Sequence, residues 1–291
     1  MPAPMPVIVG APRSGTTLLR LMLDAHPDLA IPPETGFFSA LPAPDGRSEC
    51  TADWFMDFIT TFPPSAPAWA DFGVSSDTLR ECVEALHPLT LADGFRCFYR
   101  LYAERHSQPR WGDKTPTHAL RIAAIARLLP EARIIHVIRD GRDAALSVRP
   151  LWFAPAQDFA GLAAHWQHIV RTARSQAQQC PHYREMRYEN LLLEPERELT
   201  TLCEYLDLPF DSAMLRYHER AVERLREHRD RNSADGILLV THETRRRTHE
   251  LTLRPPDVTR IGVWRSQMPA EAQSEFLSVA GDLLRELSYA D

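Results

Sequence analysis

Lysine is nearly missing from the 291-residue sequence: Lys114 is the only one, and the other 32 basic residues are arginine. Acidic residues outnumber basic ones by 39 to 33, which gives a formal net charge of −6 at pH 7. A chain of this charge has no general positive field, so a broad basic surface for nucleic acid is excluded. Any site for an anion must therefore be built locally, from a few arginines and backbone N–H groups.

Cysteine is scarce, and long apolar runs are absent. The five cysteines are Cys50, Cys82, Cys97, Cys180 and Cys203, an odd number without a CxxC pair. This spacing indicates neither a zinc site nor a disulfide framework, and it favours a reducing cytoplasm. The N-terminal MPAPMPVIVG has no basic flank and no long apolar stretch, so we expect neither a signal peptide nor a membrane anchor. The sequence thus predicts a cytoplasmic protein with no membrane partner.

Strand and helix patterns alternate along the chain. A short buried-strand pattern at residues 7–9 precedes helical spacing at 17–24, and residues 133–139 form a second strand candidate. The remaining elements that the pattern predicts are helices at 143–149, 161–179, 195–206 and 269–289 and a strand at 183–188. Such alternation is typical of an α/β fold with a P-loop-type central parallel sheet flanked by helices.

We interpret residues 1–291 as a single domain, because 44% hydrophobic content is enough for one sizeable core. Residues 37–110 combine many prolines with dispersed aromatics, which predicts a mainly helical cap over a site; ordinary helix packing is the alternative. Residues 216–260 are rich in Arg, Glu and His, and they form either a mobile lid or a solvated helical face.

Residues 10–17 read GAPRSGTT and follow the apolar run PVIV. Gly10, Gly15 and Thr17 match the phosphate-loop pattern G-x-x-x-x-G-K-[ST], but Thr16 stands where the pattern has lysine. In an ATPase or a kinase that lysine reaches the outer phosphates of ATP. Its absence therefore disfavours both of those activities.

The same segment can still hold one phosphate-like group. Backbone N–H groups at a helix N-terminus bind an anion without help from lysine. The hydroxyls of Ser14, Thr16 and Thr17 add further donors, and Arg13 adds a planar, permanently charged guanidinium. A tight turn without a ligand is the alternative, but the segment is unusually rich in donors for that purpose.

A second candidate anion site lies at residues 139–147, RDGRDAALS. Arg139 ends a predicted strand and Ser147 lies near the start of a helix, so together they can clamp a phosphate. In isolation, a strand-end salt bridge and a helix serine would explain this segment better. Paired with the first loop, it suits a nucleotide phosphorylated at both its 5′ and 3′ positions. Asp140, the best candidate ligand for Mg²⁺, lies among arginines, so we expect no metal.

Together these segments resemble the two signature segments of sulfotransferases that use 3′-phosphoadenosine 5′-phosphosulfate (PAPS), in which the first holds the 5′-phosphosulfate and the second the 3′-phosphate. The stretch PRSGTTLLRLMLDAHPDLAIPPET resembles the tyrosylprotein sulfotransferase branch and implies a general base at Glu34. WGDKTP resembles the lysine segment of that branch, at Lys114, and RYENLLLEP resembles the segment whose tyrosine contacts the nucleotide, at Tyr188. RRRTHELTLRPPDVTRIGVW resembles the segment that closes over the cofactor, with Thr248 in place of a transition-state serine and Arg254 in place of a basic residue.

The roles implied by the resemblance agree with the chemistry of the residues. Glu34 is ionised at neutral pH and can take the proton of an acceptor, although a helix-capping glutamate is the alternative. His118 and His136 are the other candidate bases, and His136 lies inside a predicted buried strand. Lys114 can stabilise the transferring group with its compact ammonium. The alternative is that the presence of a single lysine among so many arginines is due to chance.

The implied activity is transfer of a sulfuryl group from PAPS to a phenolic or alcoholic hydroxyl by in-line displacement, without a metal. The nucleotide product is 3′-phosphoadenosine 5′-phosphate (PAP). Residues 37–110 would then cap the acceptor site, and residues 216–260 would close over the cofactor. The branch and the aromatic-rich cap mildly favour tyrosine or another phenol, in a small molecule or a peptide. A homodimer is compatible with the family. The alternatives are a P-loop NTPase or kinase, and a nucleotide-binding protein without catalysis.

Overall fold

The computed structural model describes residues 3–41 and 50–289, so residues 42–49 of the predicted cap lie outside the described residues. The strands are β1 (Met5–Gly10), β2 (Leu29–Ala30), β3 (Arg110–Trp111), β4 (Asp113–Lys114), β5 (Ala132–Ile138), β6 (Tyr183–Arg187), β7 (Arg231–Asn232) and β8 (Leu238–Val240). The α-helices are α1 (Thr16–Asp24), α2 (Ala52–Thr61), α3 (Ser76–Glu84), α4 (Leu91–Arg105), α5 (Ile122–Leu128), α6 (Gly141–Val148), α7 (Phe159–Ala177), α8 (Tyr188–Leu193), α9 (Pro195–Tyr205), α10 (His218–Leu225), α11 (His242–Arg247), α12 (Trp264–Gln267) and α13 (Ala270–Glu286). Short 3₁₀ helices lie at Phe37–Ala40, Trp69–Asp71, Pro116–Leu120, Ser212–Arg216, Glu250–Leu253 and Val258–Arg260.

A four-stranded parallel sheet in the order β4-β1-β5-β6 forms the centre of the fold. Strands β1 and β5 pair from Met5 opposite Ala132 to Gly10 opposite Val137. Every residue of β1 is buried, as expected for a parallel strand that is covered on both faces. The structure confirms the predicted α/β architecture, a central parallel sheet flanked by helices.

The carboxyl ends of three sheet strands lead directly into helices: β1 into α1, β5 into α6, and β6 into α8. In a parallel sheet these strand ends meet at one edge, which is where ligands bind in α/β folds. The two predicted anion-binding segments follow β1 and β5, which are neighbours in the sheet. The topology therefore places the two segments side by side.

Capping residues explain where several helices begin. Asp158 accepts a hydrogen bond from the backbone N–H of Gly161 at 2.7 Å, so α7 begins at Phe159, two residues before the predicted start. Asp140 caps α6 by accepting from the backbone N–H of Arg142 at 2.9 Å, and its carboxylate also binds the Arg142 guanidinium at 2.8 Å. The sequence pattern identified these helices, while the caps decided their first residues.

The described part of residues 37–110 is mainly helical and is packed around aromatic side chains. Phe37 is fully buried, and its ring centroid lies 5.2 Å from that of Phe98 in an edge-to-face arrangement. These aromatics belong to one hydrophobic core with strand residues such as Val7 and Ile134, whereas Pro63 and Ala66 line the cavity described below. The role of this region as an acceptor-site cap stays a prediction.

One cysteine pair departs from the expectation that the cysteines form no disulfide. Cys82 in α3 and Cys97 in α4 form a disulfide with a Cα–Cα distance of 6.4 Å. They are 15 residues apart in the sequence and meet because α3 and α4 pack against each other, a contact that no CxxC pattern marks.

The cytoplasmic location stays a prediction. Within the described residues, no helix has the length and apolarity needed to span a membrane.

Buried ion pairs anchor the beginning of the 216–260 segment. Arg224 of α10 is 5% exposed and contacts Asp24 of α1 at 2.5 Å and Glu227 at 2.9 Å. Arg20 of α1 contacts Glu227 at 3.2 Å. Removing one partner of such a pair leaves an uncompensated buried charge, which costs about 3–5 kcal/mol. The segment is thus held on the helix that follows β1 and is not solvated throughout; its role as a lid stays a prediction.

Candidate active site

A cavity of about 590 Å³ opens at the carboxyl ends of β1 and β5. Its walls come from both predicted anion-binding segments, from the loop after β2 and from the 216–260 segment. The predicted site residues that line it are Arg13, Gly15, Thr16, Thr17, Glu34, Arg139, Ser147, Tyr188 and Thr248. The fold therefore gathers residues as far apart in the sequence as Arg13 and Thr248, which are 235 positions apart.

The turn between β1 and α1 requires glycine at position 15. Gly15 has a φ of +95°, and a Cβ there would lie 2.3 Å from the ring of Tyr188. Arg13 also has a positive φ, +67°, which marks local backbone strain in a residue with a side chain. Within the described residues no side chain caps α1, so the N–H groups of its first turn are available to an anion.

Two arginines connect the segments around the cavity. Arg13 donates through Nε to Ser147 Oγ at 3.0 Å and through Nη1 to the Thr248 carbonyl at 2.9 Å. Arg139 donates to the Arg13 carbonyl at 3.1 Å, and its guanidinium lies 4.4 Å from the centroid of the Tyr188 ring. Burial lowers the pKa of Arg13, and the positive charge of Arg139 lowers it further. An anion beside these two guanidiniums would relieve their repulsion.

Two buried donors near these arginines have no hydrogen-bond partner in the parts of the chain that the structure describes. They are Ser14 Oγ, in a residue that is 1% exposed, and Arg139 Nε, in a residue that is 5% exposed. Buried polar groups are normally paired, so these donors indicate a ligand with oxygen acceptors. Phosphate groups supply such acceptors together with negative charge, and the residues present therefore fit a phosphorylated nucleotide.

Glu34 and Lys114 form an ion pair beside the phosphate loop. Lys114 Nζ lies 2.6 Å from Glu34 Oε1 and 3.2 Å from Thr17 Oγ1. The Lys114 side chain is 4% exposed, whereas that of Glu34 is 48% exposed and lines the cavity. Lys114 reaches this position because β4 pairs with β1, which sets Lys114 opposite Ile8. The strand pairing thus brings the only lysine side chain of the sequence to Thr17, in the first turn of α1.

Burial and the ion pair act in opposite directions on the pKa values of both partners. Burial lowers the pKa of Lys114 below its usual value of 10.5, although the Glu34 carboxylate opposes this shift. Burial raises the pKa of Glu34, but the charge and the hydrogen bond of Lys114 outweigh that effect, so the net pKa is lowered from 4.5. The pair therefore favours ionised Glu34, which is the form that can accept a proton.

Comparison with known proteins identifies the family. Residues 4–212 match the family model described as the sulfotransferase family. The chain belongs to the sulfotransferase family. Protein-tyrosine sulfotransferase 1 of Danio rerio is 26% identical to it over 302 aligned residues, which cover 98% of this chain and 72% of the relative. These matches confirm the resemblance seen in the sequence and the predicted enzyme class.

Solved structures share the fold of this sulfotransferase. The sulfotransferase domain from the Synechococcus PCC 7002 olefin synthase gives a TM-score of 0.63 at 22% identity, covering 97% of this chain and 94% of that domain. A mouse sulfotransferase complexed with PAP gives a TM-score of 0.51 at 13% identity, covering 99% of this chain and 89% of the mouse chain. Both likenesses confirm the α/β fold.

Of the two residues predicted in the segment that was expected to close over the cofactor, Thr248 lines the sulfotransferase cavity and Arg254 does not. Thr248 lies on the wall, and its hydroxyl donates to the Arg245 carbonyl at 2.6 Å. Arg254 is exposed and does not line the cavity, whereas Arg260 lines it and accepts a hydrogen bond from Arg139 through its carbonyl at 3.0 Å. This segment has no periodic pattern, so the sequence does not tell which arginine turns inward.

The two histidines considered as alternative bases lie outside the cavity lining. His118 Nδ1 lies 2.8 Å from an oxygen of Asp113, and His136 Nδ1 lies 2.6 Å from the Tyr183 hydroxyl. Burial lowers the pKa of His136 to about 4. His136 therefore has a structural environment, as its place in a buried strand predicted.

The lining residues that the sequence did not single out include His228, Arg231, Arg245 and His249. Arg231 and Arg245 each contact the buried carboxylate of Asp71 at 2.6 Å. Burial lowers the pKa of His228 to about 4, with a contribution from the charge of Arg245. The Arg- and His-rich composition of the segment was the available signal, but Asp71 lies 160 positions before Arg231 and no local pattern connects them.

Proposed function

We propose that this sulfotransferase moves a sulfuryl group from PAPS to a hydroxyl group of its acceptor, with Glu34 as the general base. The observation that carries the proposal is the 2.6 Å ion pair between buried Lys114 and Glu34, because Glu34 lines the same cavity as the phosphate loop. A proton acceptor activates the incoming hydroxyl, and a cation stabilises the charge that develops during transfer.

The donor nucleotide is assigned to the two anion-binding segments. The loop at residues 13–17 would hold the 5′-phosphosulfate, and Arg139 with Ser147 would hold the 3′-phosphate. Ser14 Oγ and Arg139 Nε support this assignment, because both are buried donors without a partner in the described part of the chain. When bound, PAPS supplies an activated sulfuryl group on its 5′-phosphate.

Tyr188 and the closing segment complete the proposed nucleotide site. The Tyr188 ring packs against Gly15 and stacks with Arg139, so it would border the nucleotide. Two residues of the proposed lid, Thr248 and Arg260, would also contribute to this nucleotide site. Arg260 takes the place proposed from the sequence for Arg254, which is exposed. We assign no metal to the reaction, because the arginines, Lys114 and the backbone N–H groups supply the positive charge.

The ion pair suggests how proton transfer and charge stabilisation are coupled. Glu34 would take the proton from the acceptor hydroxyl as the acceptor oxygen bonds to sulfur, in line with the S–O bond to the 5′-phosphate, which breaks and releases PAP. Protonation removes the charge of Glu34 and weakens its attraction for Lys114. The ammonium then stabilises negative charge on the sulfuryl and leaving oxygens, while its 3.2 Å hydrogen bond to Thr17 keeps it beside the loop.

The acceptor is proposed to carry a phenolic or alcoholic hydroxyl, with tyrosine or another phenol mildly preferred. The name of the Danio rerio relative, a protein-tyrosine sulfotransferase, supports that preference. The proposed cap contributes Pro63 and Ala66 to the cavity, and the proposed lid contributes Arg231 and Arg245. The proposed homodimer rests on the family resemblance, and the proposed cytoplasmic location rests on the cysteine content and the N-terminal sequence.

Thermal unfolding with nucleotides tests the donor assignment. PAP at ~100-fold excess over its Kd should stabilise the protein by about 2.7 kcal/mol, and 5′-AMP or Mg·ATP should stabilise it less. Arg139→Ala should remove most of the preference for PAP over 5′-AMP, because the guanidinium is assigned to the 3′-phosphate. Arg197→Ala is the matched control, since its side chain is 74% exposed and does not line the cavity.

Transfer itself is measured with ³⁵S-labelled PAPS and a panel of alcohols, phenols and tyrosine peptides. We expect labelled product with at least one hydroxyl compound. Tight PAP binding without transfer to any of them would favour a non-catalytic nucleotide-binding protein. Stabilisation by Mg·ATP instead of PAP would favour an NTPase or a kinase and overturn the donor assignment.

The pH dependence of kcat/KM follows from the two shifted pKa values. Transfer requires deprotonated Glu34 and protonated Lys114, so activity should be lost below the pKa of Glu34 and above that of Lys114. Because both values are lowered, the acid limb should lie below pH 4.5 and the alkaline limb below pH 10.5. The measurement uses an aliphatic alcohol, which does not ionise in this range, and circular dichroism to verify folding. An alkaline limb at or above 10.5 would contradict the role of Lys114.

A further inference from the structure

The two segments that carry Glu34 and Lys114 are joined by three consecutive side-chain links. Glu34 pairs with Lys114 at 2.6 Å, Thr35 Oγ1 donates to Asp113 Oδ2 at 2.7 Å, and the backbone N–H of Gly36 donates to Thr115 Oγ1 at 3.2 Å. Residues 113–114 belong to β4, whereas residues 34–36 belong to no helix or strand. The position of Glu34 therefore depends on these links and not on a backbone ladder.

Asp113 is the centre of this connection. Its Oδ2 accepts from Thr35 and, at 2.8 Å, from the Tyr99 hydroxyl, while its Oδ1 lies 2.8 Å from His118 Nδ1. Asp113, Tyr99 and His118 are all 0% exposed, and Thr35 is 1% exposed. A buried carboxylate is tolerated only when its oxygens are bonded, and here both oxygens are. Burial raises the pKa of Asp113, but His118 and the hydroxyl donors outweigh that effect and keep it lowered.

Asp113 is fully buried, and both of its carboxylate oxygens are already bonded to protein groups, so it is not a group that contacts a ligand. Asp113 is linked to both reactive groups. It bonds to Thr35, which directly follows Glu34, and it directly precedes Lys114 in β4. We propose that Asp113 is a positioning residue of the transfer site, which holds Glu34 through Thr35 and Lys114 through the backbone of β4. This inference rests on the proposed function for its catalytic meaning.

The connection matters most when Glu34 is protonated. At that moment the attraction between Glu34 and Lys114 weakens, and the loop at 34–36 loses one of its attachments. The bond from Thr35 to Asp113 does not involve the transferred proton, so it keeps the loop in place throughout the reaction. Catalytic groups need such support, because a displacement of about 1 Å can reduce a rate about 10²-fold.

The test uses Thr35→Val, which removes the hydroxyl with little change of shape, and Asp113→Asn, which removes the charge. Both variants should lower kcat by about 10- to 100-fold and change the affinity for PAP by less than about twofold. Thr35→Ser restores the hydroxyl and should recover kcat to within about threefold of the native enzyme. Tyr99→Phe removes the other donor to the same Asp113 oxygen, together with a 3.5 Å contact between the Tyr99 hydroxyl and Thr35 Oγ1. It leaves the bond from Thr35 to Asp113 in place and therefore serves as the matched control.

A second readout does not depend on activity. Lysine labelled with ¹³C at Cε gives one side-chain signal, because Lys114 is the only lysine, and its titration reports the Lys114 pKa directly. The Glu34 carboxylate raises this pKa, so releasing the loop should lower it in Thr35→Val but not in Tyr99→Phe. Arg20 and Asp113 also act on Lys114, and Thr35→Val leaves both charges unchanged.

The two readouts separate this inference from the proposed function. If Thr35→Val lowers the Lys114 pKa and Thr35→Ser does not, the positioning role is supported even where no sulfuryl transfer is found. If Thr35→Val is folded and its Lys114 titration matches that of the native protein, the inference is overturned, whatever happens to the rate. A lower melting temperature with unchanged kcat and an unchanged titration would show that Asp113 only stabilises the fold, and would also overturn it.

Discussion

Glu34→Gln should lower kcat for sulfuryl transfer by about 10²–10⁴-fold, the range that a general base contributes. Glutamine has nearly the same shape and can still accept a hydrogen bond from Lys114, but it cannot take a proton from the acceptor. The affinity for PAP should change by less than about twofold, because Glu34 is paired with Lys114 and not with the two arginines assigned to the phosphates. Initial rates with labelled PAPS, together with PAP-induced thermal shifts, measure both effects.

Glu243→Gln provides the matched control for this substitution. Glu243 lies in α11 of the proposed lid, its side chain is 76% exposed, and it does not line the cavity. The same chemical change there should leave kcat within about twofold of the native value. If Glu34→Gln retained native turnover, the base would have to be sought elsewhere. His228 and His249, which line the same cavity, would then be the next candidates.

Lys114→Met should lower kcat by about 10²–10³-fold, the loss observed when one donor to a developing negative charge is removed. Methionine fills a similar volume but carries no charge, so Glu34 loses the partner that lowers its pKa. The acid limb of the pH–rate profile should therefore move to higher pH. The melting temperature should not fall, because methionine removes a charge from a buried position and the Glu34 carboxylate left behind is 48% exposed to water.

Lys114→Arg separates charge from shape. The guanidinium keeps the positive charge but is broader than an ammonium. In the native site Lys114 Nζ lies only 2.6 Å from Glu34 Oε1 and 3.2 Å from Thr17 Oγ1, so the space between these two oxygens suits the smaller group. We expect kcat to remain well below the native value, closer to that of the methionine variant. Full activity of Lys114→Arg would show that charge alone is needed, and that the single lysine among 32 arginines has no steric significance.

Local features of the site could be predicted because each depends on residues that are close in the sequence. The turn of GAPRSGTT needs Gly15 with a left-handed backbone, and the donors at residues 13–17 follow from the letters themselves. Arg139 was expected at the end of a strand, and β5 does end at Ile138. Since β1 and β5 are parallel neighbours, the two segments had to meet at one edge of the sheet.

The roles proposed for Glu34 and Lys114 came from the resemblance, and only the tertiary structure shows the two residues in contact. They are 80 positions apart, one in a loop and one in an edge strand of two residues, and neither element has a pattern that fixes its partner. Arg260 was missed in favour of Arg254 for the same reason, because the irregular closing segment has no period that assigns an inward face. The Cys82–Cys97 disulfide was missed because it depends on how two cap helices pack.

By itself, the sequence determined the α/β class, the loop that matches a phosphate-binding pattern without its lysine, and the residues that resemble a sulfotransferase site, including those of the proposed second anion-binding segment. These properties are encoded in periodicity, in turn chemistry and in short runs of donors, all of which act between near neighbours. The tertiary structure decided which charges are paired: Lys114 with Glu34, Asp113 with Thr35, and Asp71 with two arginines of the proposed lid. Those pairings join loops and short strands, whose positions are set by packing against the rest of the fold and not by their own residues.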